Sequence, residues 1–355
     1  MLRRSVLLAA TLGCTLATGA AAQHPGNPHS RFTGFLFGDI TFVATEWDRP
    51  EGFLIGQLVG HGNALLTERL SFFGEVSVTA RDDSYGFEIE RAIVRYDFAD
   101  FFKLSVGRYH TPISYWNTAY HHGLWLQTSV ARPELIRIGG IFLPVHFVGV
   151  LAEGTFPASG LGLSYEAGIG NGRGEIISRP GDAGDANRRP AGVFGVSLRP
   201  EAIAQGLEIG ASAYIDRITT ETVAADELIG SVHAVWQGSG PELIAEYVHV
   251  QHDVEGDAER TSNGFYVQAG HRLPGRLASL IPYARFERLF VDEADATFAS
   301  LEDYDAMIGG IRWDFETLAA LKLEGRRDRR QGGDWMNSLF VQVALVVPSF
   351  GSVGF

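Results

Sequence analysis

The sequence predicts an all-β protein, a closed transmembrane antiparallel β-barrel of about sixteen strands with a long, inward-folded loop after the fifth strand. Three observations predict this fold. The N-terminus carries an export signal, blocks of about ten residues alternate apolar with polar side chains, and the connections between blocks alternate between short and long. With 355 residues, 45% of them hydrophobic, the chain has enough apolar surface for such a barrel.

The N-terminal segment has the three parts of a secretory signal peptide. Arginines at positions 3 and 4 are followed by the mostly apolar stretch 6–17, and alanines at 20–22 provide a small-residue cleavage site. The sequence therefore predicts a signal peptide over residues 1–22 and a barrel domain over residues 23–355. The exported part contains no run approaching the roughly 20 apolar residues that a membrane-spanning helix needs.

Cysteine usage and net charge exclude several classes of protein. The one cysteine, Cys14, lies in the predicted signal peptide, which excludes disulfide scaffolds, thiolate zinc clusters and cysteine nucleophiles in the exported chain. A lipoprotein cut before Cys14 is the alternative, but it leaves a very short apolar region. The formal net charge of -13 argues against a nucleic-acid partner.

The blocks are predicted to be strands because apolar residues recur at every second position. In one block Leu321 and Leu323 share one face, and Lys322, Glu324 and Arg326 share the other. Gly, Pro, Asp or Asn residues close most blocks. The predicted strands, in order, are 31–46, 52–61, 67–81, 86–98, 101–110, 139–154, 159–171, 190–199, 205–217, 226–237, 240–252, 262–273, 279–290, 303–314, 318–328 and 336–347.

The connections differ on the two sides of the predicted sheet. Those after even-numbered strands are mostly short, as at 99–100, 238–239 and 316–317. Longer connections follow odd-numbered strands, at 111–138, 218–225, 253–261, 291–302 and 329–335. Short periplasmic turns and longer extracellular loops are typical of transmembrane barrels, and an even strand number returns both termini to the periplasm.

A membrane barrel explains why charged residues occupy alternate positions of the strands. Closure of the barrel provides a hydrogen-bond partner for every backbone N–H and C=O group, and the lumen accepts the polar side chains. A large soluble periplasmic β-protein could show the same alternation, and it remains an alternative. Export, strand length and loop alternation favour the barrel, as do aromatic residues near strand ends, which would form interfacial girdles. These aromatics are Tyr96, Phe98, Phe101, Phe102, Phe290, Trp313 and Phe315.

Three segments carry a resemblance to a known family: 89–96 (IERAIVRY), 104–112 (LSVGRYHTP) and 340–345 (FVQVAL). The chain resembles the outer-membrane porins of Gram-negative bacteria and is similar to their broad phosphate-selective group. This resemblance implies a passive channel in the cell outer membrane, with no cofactor. It also implies contact with outer-membrane lipid and lipopolysaccharide, folding by the barrel-assembly machinery, and a homotrimer.

The chain departs from that family in two respects. Pro348 interrupts the last strand before Phe355, so the terminal aromatic assembly signal of such proteins is in doubt here. The lysine-rich lumen of phosphate channels is missing, since Lys103 and Lys322 are the only lysines. Phosphate selectivity is therefore not carried over from the resemblance.

The longest connection, 111–138, is the first candidate site. In porins the loop in this position narrows the lumen, and this segment is too aromatic for a solvated external loop. The predicted constriction residues are Tyr115, Trp116, Tyr120, His121, His122, Trp125 and Arg132. A cap without a role in selection is the alternative. No metal site is predicted, because adjacent histidines in an extended chain point oppositely, and His110 and Glu134 match no ligand spacing.

The second candidate site is a set of charges that the more polar face of four strands directs into the lumen. They are Arg91, Arg95, Asp97, Lys103, Arg285, Glu287, Lys322, Glu324 and Arg326. The fourth strand needs a bulge or slip to keep Phe87 and Ile89 outward together with Ala92 and Val94. Six basic against three acidic residues predict a mild anion preference.

The sequence therefore predicts a passive diffusion channel for small hydrophilic solutes or ions. A closed barrel with an adhesive or structural role is the alternative within the membrane class. An enzyme is not predicted, because the chain has no Gly-x-Ser-x-Gly elbow, no His-Glu-x-x-His helix and no phosphate-binding glycine loop.

Overall fold

The structure is a computed structural model that describes residues 32–81, 84–120, 122–156, 160–238 and 240–348. The predicted signal peptide with Cys14, the constriction candidate His121 and the terminal Phe355 lie outside these described residues.

Sixteen antiparallel strands close into one barrel, as predicted. Each strand pairs with its neighbours in sequence, and the first pairs with the last to close the ring. The strands are β1 (Phe32–Thr45), β2 (Gly52–Leu65), β3 (Leu70–Ala80), β4 (Tyr85–Ala99), β5 (Phe102–His110), β6 (His146–Phe156), β7 (Leu163–Asn171), β8 (Ala191–Leu198), β9 (Leu207–Thr219), β10 (Ala224–Gln237), β11 (Pro241–Val254), β12 (Glu259–His271), β13 (Leu280–Phe290), β14 (Tyr304–Glu316), β15 (Ala319–Arg330) and β16 (Met336–Pro348).

Helical structure among the described residues is confined to short pieces. One α-helix, α1, spans Tyr115–Ala119, and 3-10 turns span Glu134–Ile136, Gly275–Leu277 and Ala296–Phe298. Across the described ranges, none of these is long and apolar enough to cross a membrane.

The outer surface of the barrel is a belt of large apolar side chains. In β13, Phe286 and Phe290 are exposed, while Arg285 and Glu287 on the two sides of Phe286 are buried inside. Such a continuous apolar exterior is stable only against lipid hydrocarbon, so the barrel is a transmembrane one. Exposed members of the belt on other strands include Leu104, Val106, Val150, Phe194, Ile215, Val232, Val267, Leu323 and Val343.

The predicted aromatic residues near the short turns lie on this outer surface. The rings of Tyr96 and Phe98 are 4.7 Å apart between centroids, and those of Trp313 and Phe315 are 5.7 Å apart. All four side chains are exposed. Their position at one end of the belt is that of an interfacial girdle.

The connections match the predicted asymmetry only in part. None after an even-numbered strand exceeds eight residues, whereas odd-numbered strands are followed by three long segments, 111–145, 172–190 and 291–303. The predicted long loops at 218–225 and 253–261 are wrong, because β9 to β12 run further and leave only 220–223 and 255–258.

The start of β6 also differs from the prediction. The alternation over 139–145 resembles a strand, but Gly139 adopts a φ of 69° and Phe142 and Leu143 are buried inside the barrel. The strand begins at His146, so the connection after β5 runs from 111 to 145.

A β-bulge in β4 resolves the conflict in its alternation. Arg91 pairs with Glu75, whereas Ile89 pairs with Val76, which leaves Glu90 as the extra residue. Glu90 and Arg91 therefore both turn away from lipid. The exposed apolar residues on the two sides of the bulge are Phe87, Ile89 and Val94.

The core lies inside the barrel, between the wall and the connection 111–145. Ile113 and Trp116 from the connection are fully buried, together with Tyr214 and Tyr266 from β9 and β12. The lumen is thus partly filled by protein.

Candidate functional site

The connection 111–145, here called the lumen loop, is closed at its root. The Thr111 amide donates to the Val145 carbonyl at 3.0 Å, and the Asn117 side-chain amide donates to both Thr111 and Val145 carbonyls at 3.0 and 2.9 Å. Ser114 caps α1 by accepting from the Asn117 amide. The two ends of the loop are therefore held together, and α1 starts from a defined position.

The predicted aromatic residues of the lumen loop pack against the wall. The Trp116 ring lies edge-on to Tyr266, with centroids 5.7 Å apart, and 5.0 Å from the Tyr120 ring. The Arg285 guanidinium sits 5.5 Å from the Trp116 ring centre. Tyr115 contacts His233 with ring centroids 5.1 Å apart. These contacts fix the loop inside the lumen.

Four of the predicted lumen charges bind the backbone of the lumen loop. Lys322 Nζ donates to the carbonyls of Leu124 and Ser129 at 2.5 and 2.9 Å. Glu324 accepts from the Val130 amide at 2.9 Å. The side chains of Lys322 and Glu324 are fully buried, so they anchor the loop instead of lining an open passage.

The same arrangement recurs on β13, which is separated from β15 by β14. Arg285 donates to the carbonyls of Ala131 and Arg132 at 2.8 and 3.3 Å, and Glu287 accepts from the Glu134 amide at 2.6 Å. Because each charge is paired with backbone dipoles, it is withdrawn from contact with a solute.

Further side chains that anchor the loop lie on strands for which no lumen-facing charges were predicted. Glu246 on β11 accepts from the Ser114 hydroxyl and the Tyr115 amide, both at 3.1 Å. Arg312 on β14 donates to the Trp125 carbonyl at 2.6 Å. The period-two alternation of β11 and β14 places these residues inward, which is the signal that could have found them.

Four of the remaining predicted charges, Arg91, Arg95, Asp97 and Arg326, form ion pairs within the wall, and Lys103 lines the cavity described below. Arg91 pairs with Glu75. Arg95 lies 2.8 Å from Asp97 and 3.2 Å from Glu153.

Arg326 lies 3.3 Å from Glu324, and its guanidinium is 5.3 Å from the centre of the Phe340 ring. Arg132, in the loop, donates to the Ile136 carbonyl at 3.2 Å. Burial lowers the pKa of the Arg132 guanidinium to about 10, with Glu90 opposing the shift, so it stays protonated at neutral pH.

The second long connection, 172–190, docks on the lumen loop through Arg173. This fully buried guanidinium pairs with Glu227 at 2.9 Å and donates to the Phe142 carbonyl at 3.2 Å. Burial alone would lower the pKa of Arg173, but the Glu227 carboxylate more than offsets it and raises that pKa. The end of the lumen loop is thus tied to the wall at β10.

A cavity of about 130 Å³ remains between α1 and the opposite wall formed by β5 to β10. Ser114, Tyr115 and Thr118 line it from the loop side. The wall contributes acidic, basic and imidazole side chains. These are Lys103, Glu153, Glu166, Arg199, Glu208 and His233.

The inward-facing charges are more acidic than the sequence reading counted. On the four strands used for the prediction, six basic residues and three acidic residues face the lumen. The rest of the inner wall and its connections add twelve carboxylates and fewer bases, which include Arg108, Arg173, Arg199, Arg312 and Arg330. The added carboxylates are Asp39, Glu75, Glu90, Glu153, Glu166, Glu208, Asp216, Glu227, Glu242, Glu246, Asp314 and Asp328.

Three histidines and one carboxylate meet at the root of the lumen loop. One ligand atom from each of Glu90, His110, His122 and His146 lies within 4.8 Å of the other three. The spacing of these four residues along the chain does not predict the cluster. Sequence reasoning missed the cluster because it depends on the β4 bulge and on the return of the loop to the wall.

Neither a protein-family model nor a curated protein matches this chain. Solved structures do match it. An anion-selective porin from Comamonas acidovorans is similar with a TM-score of 0.67 and 13% identity, covering 90% of this chain and all of the other. The outer membrane channel DcaP of Acinetobacter baumannii gives 0.58 and 13%, over 89% of this chain and 96% of that one.

A loop-deletion mutant of OmpT, an outer membrane protein of Vibrio cholerae, gives a TM-score of 0.60 and 14% identity, over 89% of this chain and 98% of the other. Identities this low establish a likeness of fold. The chain has the fold of the outer-membrane porins.

Proposed function

We propose that the protein is a passive diffusion channel of the cell outer membrane for small hydrophilic solutes or ions, and not an enzyme. The observation that carries the proposal is the lumen loop, which is held inside a sixteen-stranded barrel by wall charges and leaves a polar cavity beside α1. A barrel of this strand number has a lumen wide enough for water. The porin and channel titles of its structural neighbours support the same function.

The lumen loop acts as the constriction in this proposal. It crosses the lumen beside β11 to β15, where its backbone is bound, and solutes pass through the cavity on the opposite side. Tyr115 and Thr118 border that passage from the loop, while Glu166 and Glu208 border it from the wall. A narrow eyelet with charged walls discriminates by size and by charge sign.

The sign of the selectivity follows from the charges that border the cavity. An anion preference has one structural neighbour in its favour, the anion-selective porin. However, most of the basic residues from which an anion preference was predicted bind loop carbonyls or carboxylates. The cavity is lined by Glu153 and Glu208 against Lys103 and Arg199, and the inner wall as a whole carries more carboxylates than bases. We therefore propose a weak cation preference, which high salt reduces by screening.

The surroundings of the barrel complete the proposal. The apolar belt contacts outer-membrane lipid, with lipopolysaccharide on the outer side, and the barrel-assembly machinery inserts the chain. A homotrimer is proposed by analogy with porins. Crosslinking of the protein in native membranes tests the trimer, since a monomer band alone contradicts it.

Planar-bilayer recording tests the channel function. We expect discrete conductance steps from the folded, detergent-purified protein. A folded barrel that never conducts would instead have the adhesive or structural role, and protein that stays soluble without detergent would contradict the membrane assignment.

A further inference from the structure

We propose that Glu90, His110, His122 and His146 form a binding site for a divalent transition-metal ion, with zinc as the best-fitting ion. The site lies at the root of the lumen loop, outside the proposed passage. Its donors are three imidazoles and one carboxylate, all mutually within 4.8 Å. Imidazole suits zinc and its neighbours in the first transition row, and four such donors match the tetrahedral sites that zinc prefers.

The distances around Glu90 fit a metal. His146 Nε2 and His122 Nε2 lie 2.9 and 3.1 Å from the same carboxylate oxygen, Oε2. Zinc bonds of about 2.0–2.1 Å place two tetrahedral ligands about 3.3 Å apart. The two measured separations are therefore close to the edges of such a tetrahedron.

The hydrogen bond on the far side of His122 sets the protonation of its ring. His122 Nδ1 lies 3.0 Å from Gln57 Oε1, an amide oxygen that accepts a hydrogen bond from the Nδ1 proton. When Nε2 carries no proton, its lone pair faces the Glu90 carboxylate. Two acceptors at 3.1 Å require a cation between them, either a second ring proton or a metal ion.

The carboxylate is oriented by a partner of its own. The Ser77 hydroxyl donates to Glu90 Oε1, which leaves Oε2 directed at the two imidazoles. Outer hydrogen bonds of this kind, on a ligating histidine and on a ligating carboxylate, are typical of metal sites. The bulge in β4 is what brings Glu90 to this position.

The charges around the cluster accept a cation. Arg91 is paired with Glu75, and Arg108 lies 2.7 Å from Asp182, 3.6 Å from Glu88 and 3.9 Å from Glu90 Oε2. With Glu90 and Arg132 included, four carboxylates face three guanidiniums. The slight excess of negative charge favours a bound cation.

The positions of the ligands in the chain indicate what the ion does. His110 is the last residue of β5, His122 lies within the lumen loop and His146 is the first residue of β6. Beyond the Ala92 and Arg108 pair, β5 is no longer bonded to β4. One ion would thus clamp both ends and the middle of the loop to the bulge of β4.

The site is tested by measuring zinc binding to the tag-free protein. The protein is first stripped of metal with a chelator and is kept folded in detergent. We expect calorimetry and metal analysis to give one zinc ion per chain. His122→Ala and His146→Ala should each lower the affinity at least about ten-fold, since even outer-shell changes do so. His249→Ala is the matched control, because His249 lies on β11 and contacts Asn263. Absence of stoichiometric zinc, or unchanged affinity in both cluster variants, would overturn the proposal.

Amide hydrogen exchange tests the clamp. Zinc should slow exchange over residues 111–145 in the wild-type protein and leave His122→Ala unaffected. Zinc that binds without slowing this exchange would overturn the clamp. Neither measurement involves conduction, so their failure and the failure of the channel function are distinguishable.

Discussion

At the scale of single residues, charge on the inner wall has two separate uses. The backbone of the lumen loop is hydrogen-bonded by Lys322, Arg285 and Glu324. The cavity is bordered by Glu166 and Glu208. Their inward orientation follows from period-two alternation and could be predicted for the first three. Their partners could not, since Lys322 and Leu124 are 198 residues apart and meet only in the closed barrel.

Replacing Lys322 tests the anchoring use. Lys322→Met keeps the length of the side chain but leaves the Leu124 and Ser129 carbonyls without their donor. We expect the free energy of unfolding in urea to fall by about 1–3 kcal/mol for each carbonyl left unpaired. Arg327→Met, on the exposed face of the same strand, is the control. Equal stability of the two variants would show that Lys322 is not an anchor.

Neutralising the carboxylates that border the cavity tests their role in ion selectivity. The double variant Glu153→Gln, Glu208→Gln should shift the reversal potential in a salt gradient toward anions, because two negative charges leave the passage. Glu259→Gln, at the exposed first residue of β12, should leave the potential unchanged. A double variant that behaves like the wild type would remove these side chains from the passage.

At the scale of elements, local alternation predicted every strand but not every boundary. The conflict of parity between Ile89 and Ala92 correctly required a bulge in β4. The segment 139–145 misled because apolar residues that pack into a lumen have the same pattern as residues that face lipid. Alternation reports that a side chain is buried, not which partner buries it.

The lumen loop is the element whose removal has the clearest expected effect. Deleting residues 115–127 removes α1, Trp116 and Trp125 from the lumen but no strand. Single-channel conductance should rise, while the barrel still resists heat in detergent because its sixteen-strand ring is intact. Unchanged conductance in a folded deletion variant would favour a cap over a constriction.

At the scale of the whole molecule, closure explains both faces of the wall. The ring leaves no sheet edge, so the backbone needs no water, the exterior can be apolar and the polar groups can collect inside. Export, strand length and turn length together predicted this architecture. The net charge of the passage was not predictable from four strands, because most of the inward-facing acidic residues lie on the other strands.

Single-channel recording in planar bilayers measures the central claim most directly. The wild-type protein should open discrete steps whose conductance increases with salt concentration, with a reversal potential displaced slightly toward cation selectivity at moderate salt. A heat-resistant, folded barrel that inserts into the bilayer and passes no current would contradict the account.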